Sequence, residues 1–209
     1  PLHQSLGLPN QDAWLGHTTA RGAMIAVCDG LGSRPMAKLG AIQACLAARD
    51  AINSWNRLPN RSASTLPRLI RAFWEMRTAP AEPDQCATTC LFAAATRQGK
   101  LIIGGLGDGL ALLRFPDGNT RRLIERGSSF SNQTLGLGVP HKLSDWVLDV
   151  VPVAEPHTAV VLATDGIADD LVEDRMSGFA NWLCERFLPM PPSARYRAIE
   201  KELRNWPTP

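Results

Sequence analysis

The sequence predicts an α+β fold, one domain whose helices are grouped apart from a run of antiparallel strands. Three observations carry this reading. The element order runs strand, helix, helix, several strands, then helices, without regular strand–helix alternation. Two short polar stretches, Arg97-Gln98-Gly99-Lys100 and Pro116-Asp117-Gly118-Asn119, divide apolar runs as hairpin turns do. Two apolar runs, "AMIAVCDG" at 23–30 and "AVVLATDG" at 159–166, each stop abruptly on Asp-Gly.

Residues 22–28 read as a buried strand, being short, apolar and bounded by Gly22 and the Asp-Gly turn. Pro35 suits the first turn of a helix, and Leu39, Ile42, Leu46 and Ile52 recur near helical spacing as far as Trp55. A second helix spans about 65–76, with Leu66, Leu69, Ile70 and Phe73 on one face. The Pro-rich stretch 78–85 is a loop. Strands are expected at 86–96, at 101–115 with an interruption at Gly107-Asp108-Gly109, and at 120–124. Polar, glycine-rich residues 127–144 read as a long loop or flap. Further strands lie at 146–153 and 158–164, and helices at 173–187 and 192–205.

A chain of 209 residues fits one domain with a two-layer core. Its net charge of +2 gives no reason to propose nucleic acid or an anionic membrane as a partner. No apolar run approaches the roughly 20 residues that span a bilayer. The expectation is a cytoplasmic monomer. Because the sequence opens at Pro1 and closes at Pro209, we expect a piece of a longer chain, truncated at both ends. Five cysteines form no zinc-like pattern, since Cys86 and Cys90 have no second pair nearby. Cys28, Cys45, Cys90 and Cys184 lie in apolar surroundings, where cysteine behaves as a small reduced hydrophobe. The six tryptophans read as core or interface residues. Arg121, Arg122 and Arg126 could meet a phosphopeptide, but solvated charge is the default for such a run.

Three aspartates share one context. Asp29, Asp108 and Asp165 each follow an apolar strand and each precede glycine. Any one Asp-Gly alone reads as a turn. A charged carboxylate at a buried strand end is costly. Convergence on a hard divalent cation, which prefers oxygen ligands, offsets that cost.

The ordered pieces "LHQSLGLPNQDAW", "AVCDGLGS", "CATTCLFAAA", "GLGDGLALL" and "VVLATDGIADDL" together resemble the metal-dependent protein phosphatases of the protein phosphatase 2C type. The resemblance runs from about His3 to Leu171 and is nearest to the compact bacterial branch with Gln-Asp-Ala in its first motif. It implies an α-β-β-α sandwich of two antiparallel sheets flanked by helices, with two Mn2+ or Mg2+ ions at one end. It implies that Asp29 bridges both metals, that the Gly30 carbonyl binds the second and that Asp165 binds the first. Asp12 would order the water, and Asp108 would lie near a third ion. Thr88 and Thr89 would be structural. The implied activity is hydrolysis of phosphoserine or phosphothreonine on a protein, the substrate of a bacterial Ser/Thr kinase. Two ions about 3.5–4 Å apart acidify a shared water for in-line attack on phosphorus.

Three departures from the family pattern leave a second reading open, a catalytically impaired pseudophosphatase that binds phosphoproteins. Gln11 stands where many members carry a glutamate ligand. Gly7 and Leu31 stand where an arginine and a histidine are common, with His3 the nearest substitute. No closing Asp-Asp or Asp-Asn strand follows, and Asp169, Asp170 and Asp174 lie too soon after Asp165 to match it.

Overall fold

The computed structural model describes residues 10–59, 61–124, 135–152 and 158–206. Among the described residues eight strands form two antiparallel sheets. The first has five strands in the order β1 (Ala13–Thr19), β2 (Gly22–Cys28), β3 (Cys90–Thr96), β4 (Lys100–Leu106) and β7 (Val147–Pro152). The second has three, β6 (Thr120–Ile124), β5 (Leu110–Arg114) and β8 (Ala159–Ala163). Helices α1 (Ala37–Trp55) and α2 (Leu66–Thr78) precede β3, a single turn α3 (Asp165–Ala168) follows β8, and α4 (Met176–Phe187) and α5 (Pro192–Arg204) end the order.

Residue alternation builds four layers. On β3, Phe92 and Ala94 point toward α1 and α2, into a core with Ala44, Ala48, Ile70 and Trp74. Their neighbours Leu91 and Ala93 point the other way and meet Ala111, Leu113 and Ile124 of the second sheet. The outer face of that sheet, Leu110, Leu112 and Ala163, packs against Met176 and Ala180 of α4. Because β3 and β4 are covered on both faces, they read as continuous apolar runs. The sandwich expected from the sequence is what the chain adopts.

Several local expectations change. Strand β1 was not anticipated, since Gly16, His17 and two threonines dilute its apolar signal. Pairing with β2, from Ala13 opposite Cys28 to Thr19 opposite Gly22, makes it a strand. Ile42 is exposed, and most of the buried face of α1 is small, formed by Ala37, Gly40, Ala41, Ala44, Cys45, Ala48 and Ala51, with the expected Ile52 buried beside Trp55 toward its C-terminal end. Small side chains let the helix sit close to its neighbours. Residues 125–134 of the expected flap lie outside the described residues. The part from Leu135 onward is no polar flap, because Leu137 is fully buried and exchanges backbone hydrogen bonds with Thr88 at 3.0 and 2.8 Å. Trp55, Trp74 and Trp146 are core residues, whereas Trp14 is 66% exposed. All five cysteines are free, and Cys28, Cys45, Cys86 and Cys90 are buried as small hydrophobes.

Helices α1 and α2 are tied by polar contacts as well. Asp50 accepts from Arg49 Nε at 2.9 Å and from Arg77 Nε at 3.1 Å. Burial works against the Asp50 carboxylate, but the two guanidiniums outweigh it and hold its pKa below the usual range. Trp74 Nε1 donates to the Gly40 carbonyl at 3.1 Å.

Gly40 decides how closely α1 approaches the segment before β3. A Cβ there would lie 1.8 Å from the Cys86 carbonyl oxygen, a backbone atom that no rotamer change can move. Gly→Ala inside a helix ordinarily stabilises by about 1 kcal/mol, but overpacking a tight contact costs about 1–3 kcal/mol, and a backbone clash lies at the upper end. Gly40→Ala is therefore expected to destabilise the chain by about 2 kcal/mol net. Guanidinium denaturation checks this, with a lowered midpoint and an unchanged m-value.

Candidate active site

Sheet geometry aims three carboxylates at one place. Asp12 and Asp29 lie one step beyond the rung that pairs Ala13 with Cys28. Asp165 opens α3, two residues beyond the rung that pairs Ala163 with Leu110, and β8 lies against β2 and β3. The carboxyl groups of Asp12 and Asp165 both hydrogen-bond that of Asp29. Burial, then the charges of Asp12 and Asp165, then these hydrogen bonds push the Asp29 carboxyl from the ordinary 3.8 up to about 8.

The backbone around Asp29 is clamped to the segment before β3. The Asp29 N–H donates to Thr89 Oγ1 at 2.9 Å. The Asp29 carbonyl accepts from Thr88 Oγ1 and from the Thr89 N–H, both at 2.8 Å. The Leu31 N–H donates to the Ala87 carbonyl at 2.9 Å. Among the described residues no donor reaches the Gly30 carbonyl between these bonds. Asp12 is set by its own N–H donating to Asn10 Oδ1 at 2.7 Å, an Asx-type turn.

Asp108 reaches the same end of the sandwich by another route. It sits in the turn from β4 to β5, between Gly107, packed on Thr89, and Gly109, packed on the Ala163 carbonyl. It is not one of the groups acting on Asp29. Lys38, in the first turn of α1, donates from Nζ to the Asp12 carbonyl at 2.6 Å. Sequence reading passed over it, although a lysine in the helix that follows Asp-Gly was the available signal. Arg121 pairs with Asp149 at 2.6 Å and Arg122 Nε donates to the Ile124 carbonyl at 2.9 Å, so both are engaged locally. His3, Gly7 and Arg126 lie outside the described residues.

Among the described residues no three His, Cys, Asp or Glu side chains are already set around one ion. The aspartates instead meet through hydrogen bonds. The donors suit a hard divalent cation all the same, since they are carboxylate oxygens joined by the Gly30 carbonyl, which no donor among the described residues reaches. A cation that displaced the proton on Asp29 would relieve the repulsion that raises its pKa.

The sequence matches the family described as Protein phosphatase 2C over residues 1–206. No curated protein sequence matches the chain. Among solved structures, it is similar to the catalytic domain of the serine/threonine protein phosphatase PstP in complex with two manganese ions, at 16% identity and TM-score 0.58, over 94% of this chain and 86% of that one. It is also similar to the SiaA-PP2C domain of Pseudomonas aeruginosa, at 16% identity and TM-score 0.58, over 94% and 74%. RsbX in complex with magnesium aligns at 17% identity and TM-score 0.52, over 79% and 70%. These likenesses describe the fold.

The raised Asp29 pKa has a consequence for stability. Below pH 3.8 this carboxyl is protonated in the folded and the unfolded chain alike. Between 3.8 and about 8 only the folded chain keeps the proton, so rising pH favours unfolding until the effect levels off. The melting temperature in chelator is expected to fall across this window, and Asp29→Asn to flatten the fall. Thermal denaturation of both proteins at stepped pH measures the difference.

Proposed function

The chain belongs to the protein phosphatase 2C family, and from that premise we propose that it hydrolyses phosphoserine or phosphothreonine on a protein, with Mn2+ or Mg2+. The observation that carries this is the meeting of Asp12 and Asp165 on Asp29 at the open ends of β1, β2 and β8. The metal ions named for PstP and RsbX support divalent cations as the cofactor class.

When bound, the ions would neutralise phosphate oxygens and acidify water. Asp29 and Asp165 would hold them with the Gly30 carbonyl, and Asp108 would stand near a third. Asp12 accepts a hydrogen bond from the attacking water and so orients its lone pair toward phosphorus. The clamp from Thr88 and Thr89 holds the Asp29 backbone still, which keeps the carboxylate placed before substrate arrives. Lys38, held on the Asp12 backbone carbonyl, brings a positive charge to this end of the sheet and favours approach of a phosphate dianion. The proposed substrate is a phosphoprotein made by a Ser/Thr kinase.

Gln11 favours a second reading. A neutral amide beside Asp12 supplies no charge where a carboxylate would hold a second ion. Calorimetry with Mn2+ separates the two readings, because two sites of useful affinity support the enzyme and one weak site supports a phosphoprotein-binding module.

Hydrolysis of a phosphopeptide with Mn2+ tests the proposal. Asp29→Asn and Asp165→Asn are expected to lower kcat at least about 100-fold while remaining folded. Turnover that is independent of metal, or undiminished in Asp29→Asn, would overturn it.

Lys38 makes a narrower claim. Lys38→Met is expected to raise KM for the phosphopeptide about three- to ten-fold, the worth of one partly solvated charge contact. Its kcat should change less, as steady-state kinetics on the two proteins would reveal.

A further inference from the structure

We propose that the end of the sandwich opposite the acidic cluster holds a second anion site, which takes a compact phosphoanion. Three arginines converge there from three separate connections. Arg21 lies in the β1–β2 turn, Arg97 in the β3–β4 turn, and Arg61 beyond the end of α1. With Asn56 and Gln98 they line an open recess of about 270 Å3, and among the described residues its lining includes no carboxylate. Arg21 precedes the first residue of β2 and Asp29 follows the last, so at ~3.3 Å per residue they lie about 26 Å apart.

The strand register makes this more than a group of solvated charges. Gly22 faces Thr96 at the last rung of β2 and β3, so the two hairpin turns that carry Arg21 and Arg97 leave the sheet side by side. Like charges held close to one another repel. The strands cannot readily part here. Gly22 has a φ of 146°, and a Cβ on it would lie 2.1 Å from the Ala95 carbonyl oxygen, so the backbones approach as closely as glycine allows.

Elsewhere the chain answers such charge internally: Arg71 pairs with Glu75, Arg77 with Asp50 and Arg121 with Asp149. Among the described residues, neither Arg21, Arg61 nor Arg97 forms an ion pair with a carboxylate. Arg61 is also held in place. Its guanidinium lies over the Trp55 ring at 5.9 Å, and Trp55 Nε1 donates to the Ser62 carbonyl at 2.8 Å.

The lining selects the ligand. Its groups are guanidiniums and amides, which donate hydrogen bonds in the fork geometry that phosphate oxygens accept. The lining includes no aromatic ring, and Arg61 covers the neighbouring Trp55, so no aromatic platform for a nucleobase is presented. A phosphate, a pyrophosphate or a phosphoryl group on a flexible peptide shares the fitting chemistry.

The test uses the full chain in chelator, so that an ion at the acidic cluster cannot capture the anion. Calorimetric titration with inorganic pyrophosphate is expected to show one saturable site that weakens from about 50 to about 300 mM NaCl. Arg21→Ser/Arg97→Ser should weaken it about ten-fold or more. Arg97→Glu should abolish binding and raise the melting temperature at low salt, because it turns a repelling pair into an attracting one. A phosphoserine peptide run in parallel identifies the source. Tighter binding than inorganic phosphate supports a site for phosphorylated protein segments, and equal binding supports a site for the free ion. No saturation by ~10 mM pyrophosphate, or equal affinity in both variants, would overturn the proposal.

Discussion

The end of β2 is held to the segment before β3 by three hydrogen bonds to one residue, and the candidate site depends on them. Asp29 gives its N–H to Thr89 Oγ1, and its carbonyl receives Thr88 Oγ1 and the Thr89 N–H. Both threonines are fully buried, so the bonds form away from competing water. The clamp continues outward, since Thr88 also exchanges backbone bonds with Leu137. An apolar strand is thereby stopped at one residue and its carboxylate is directed out of the core.

The same sheet sorts charge to its two ends. Strands β2 and β3 run antiparallel, so one end carries Asp29 with Thr88 and Thr89, and the other carries Arg21 with Arg97. Each end gathers like charges that the fold itself leaves only partly compensated. At the aspartate end Asp29 accommodates this by holding its proton, since burial and then the charges of Asp12 and Asp165 raise its pKa. Arginines have no such recourse, because guanidinium does not deprotonate in proteins. Both ends therefore suit a ligand of opposite charge, a divalent cation at one and a phosphoanion at the other.

Much of the fold was legible from local pattern. The apolar runs of β3 and β4 stand out because burial on both faces removes polar residues from them, and those of β2 and β8 stand out because each stops on Asp-Gly. Hairpin turns at Arg97–Gly99 and Pro116–Asn119 were legible from glycine placement. Strand β1 was not, because an edge strand with Gly16, His17 and Thr18 draws its order from β2 rather than from its own propensity. The buried face of α1 was read correctly at Ile52 but not at Ile42, for a related reason. Large residues such as Ile42 dominate a hydrophobicity pattern, whereas the close approach around Gly40 admits only small ones. Leu137 was hidden in a polar, glycine-rich stretch whose composition says nothing about one buried contact.

By itself the sequence determined which residues could take part in metal chemistry, since Asp29, Asp108 and Asp165 each sit where an apolar run stops at glycine. It also determined the order of elements, and with it the α+β class. Only the tertiary structure decided that Asp12 and Asp165 meet Asp29 while Asp108 arrives by a separate turn. It alone placed Lys38 beside Asp12 and set the turns that carry Arg21 and Arg97 side by side. The reason is that local sequence sets where a strand ends. Which strand ends share a rung depends on pairing and sheet stacking between residues far apart in the chain.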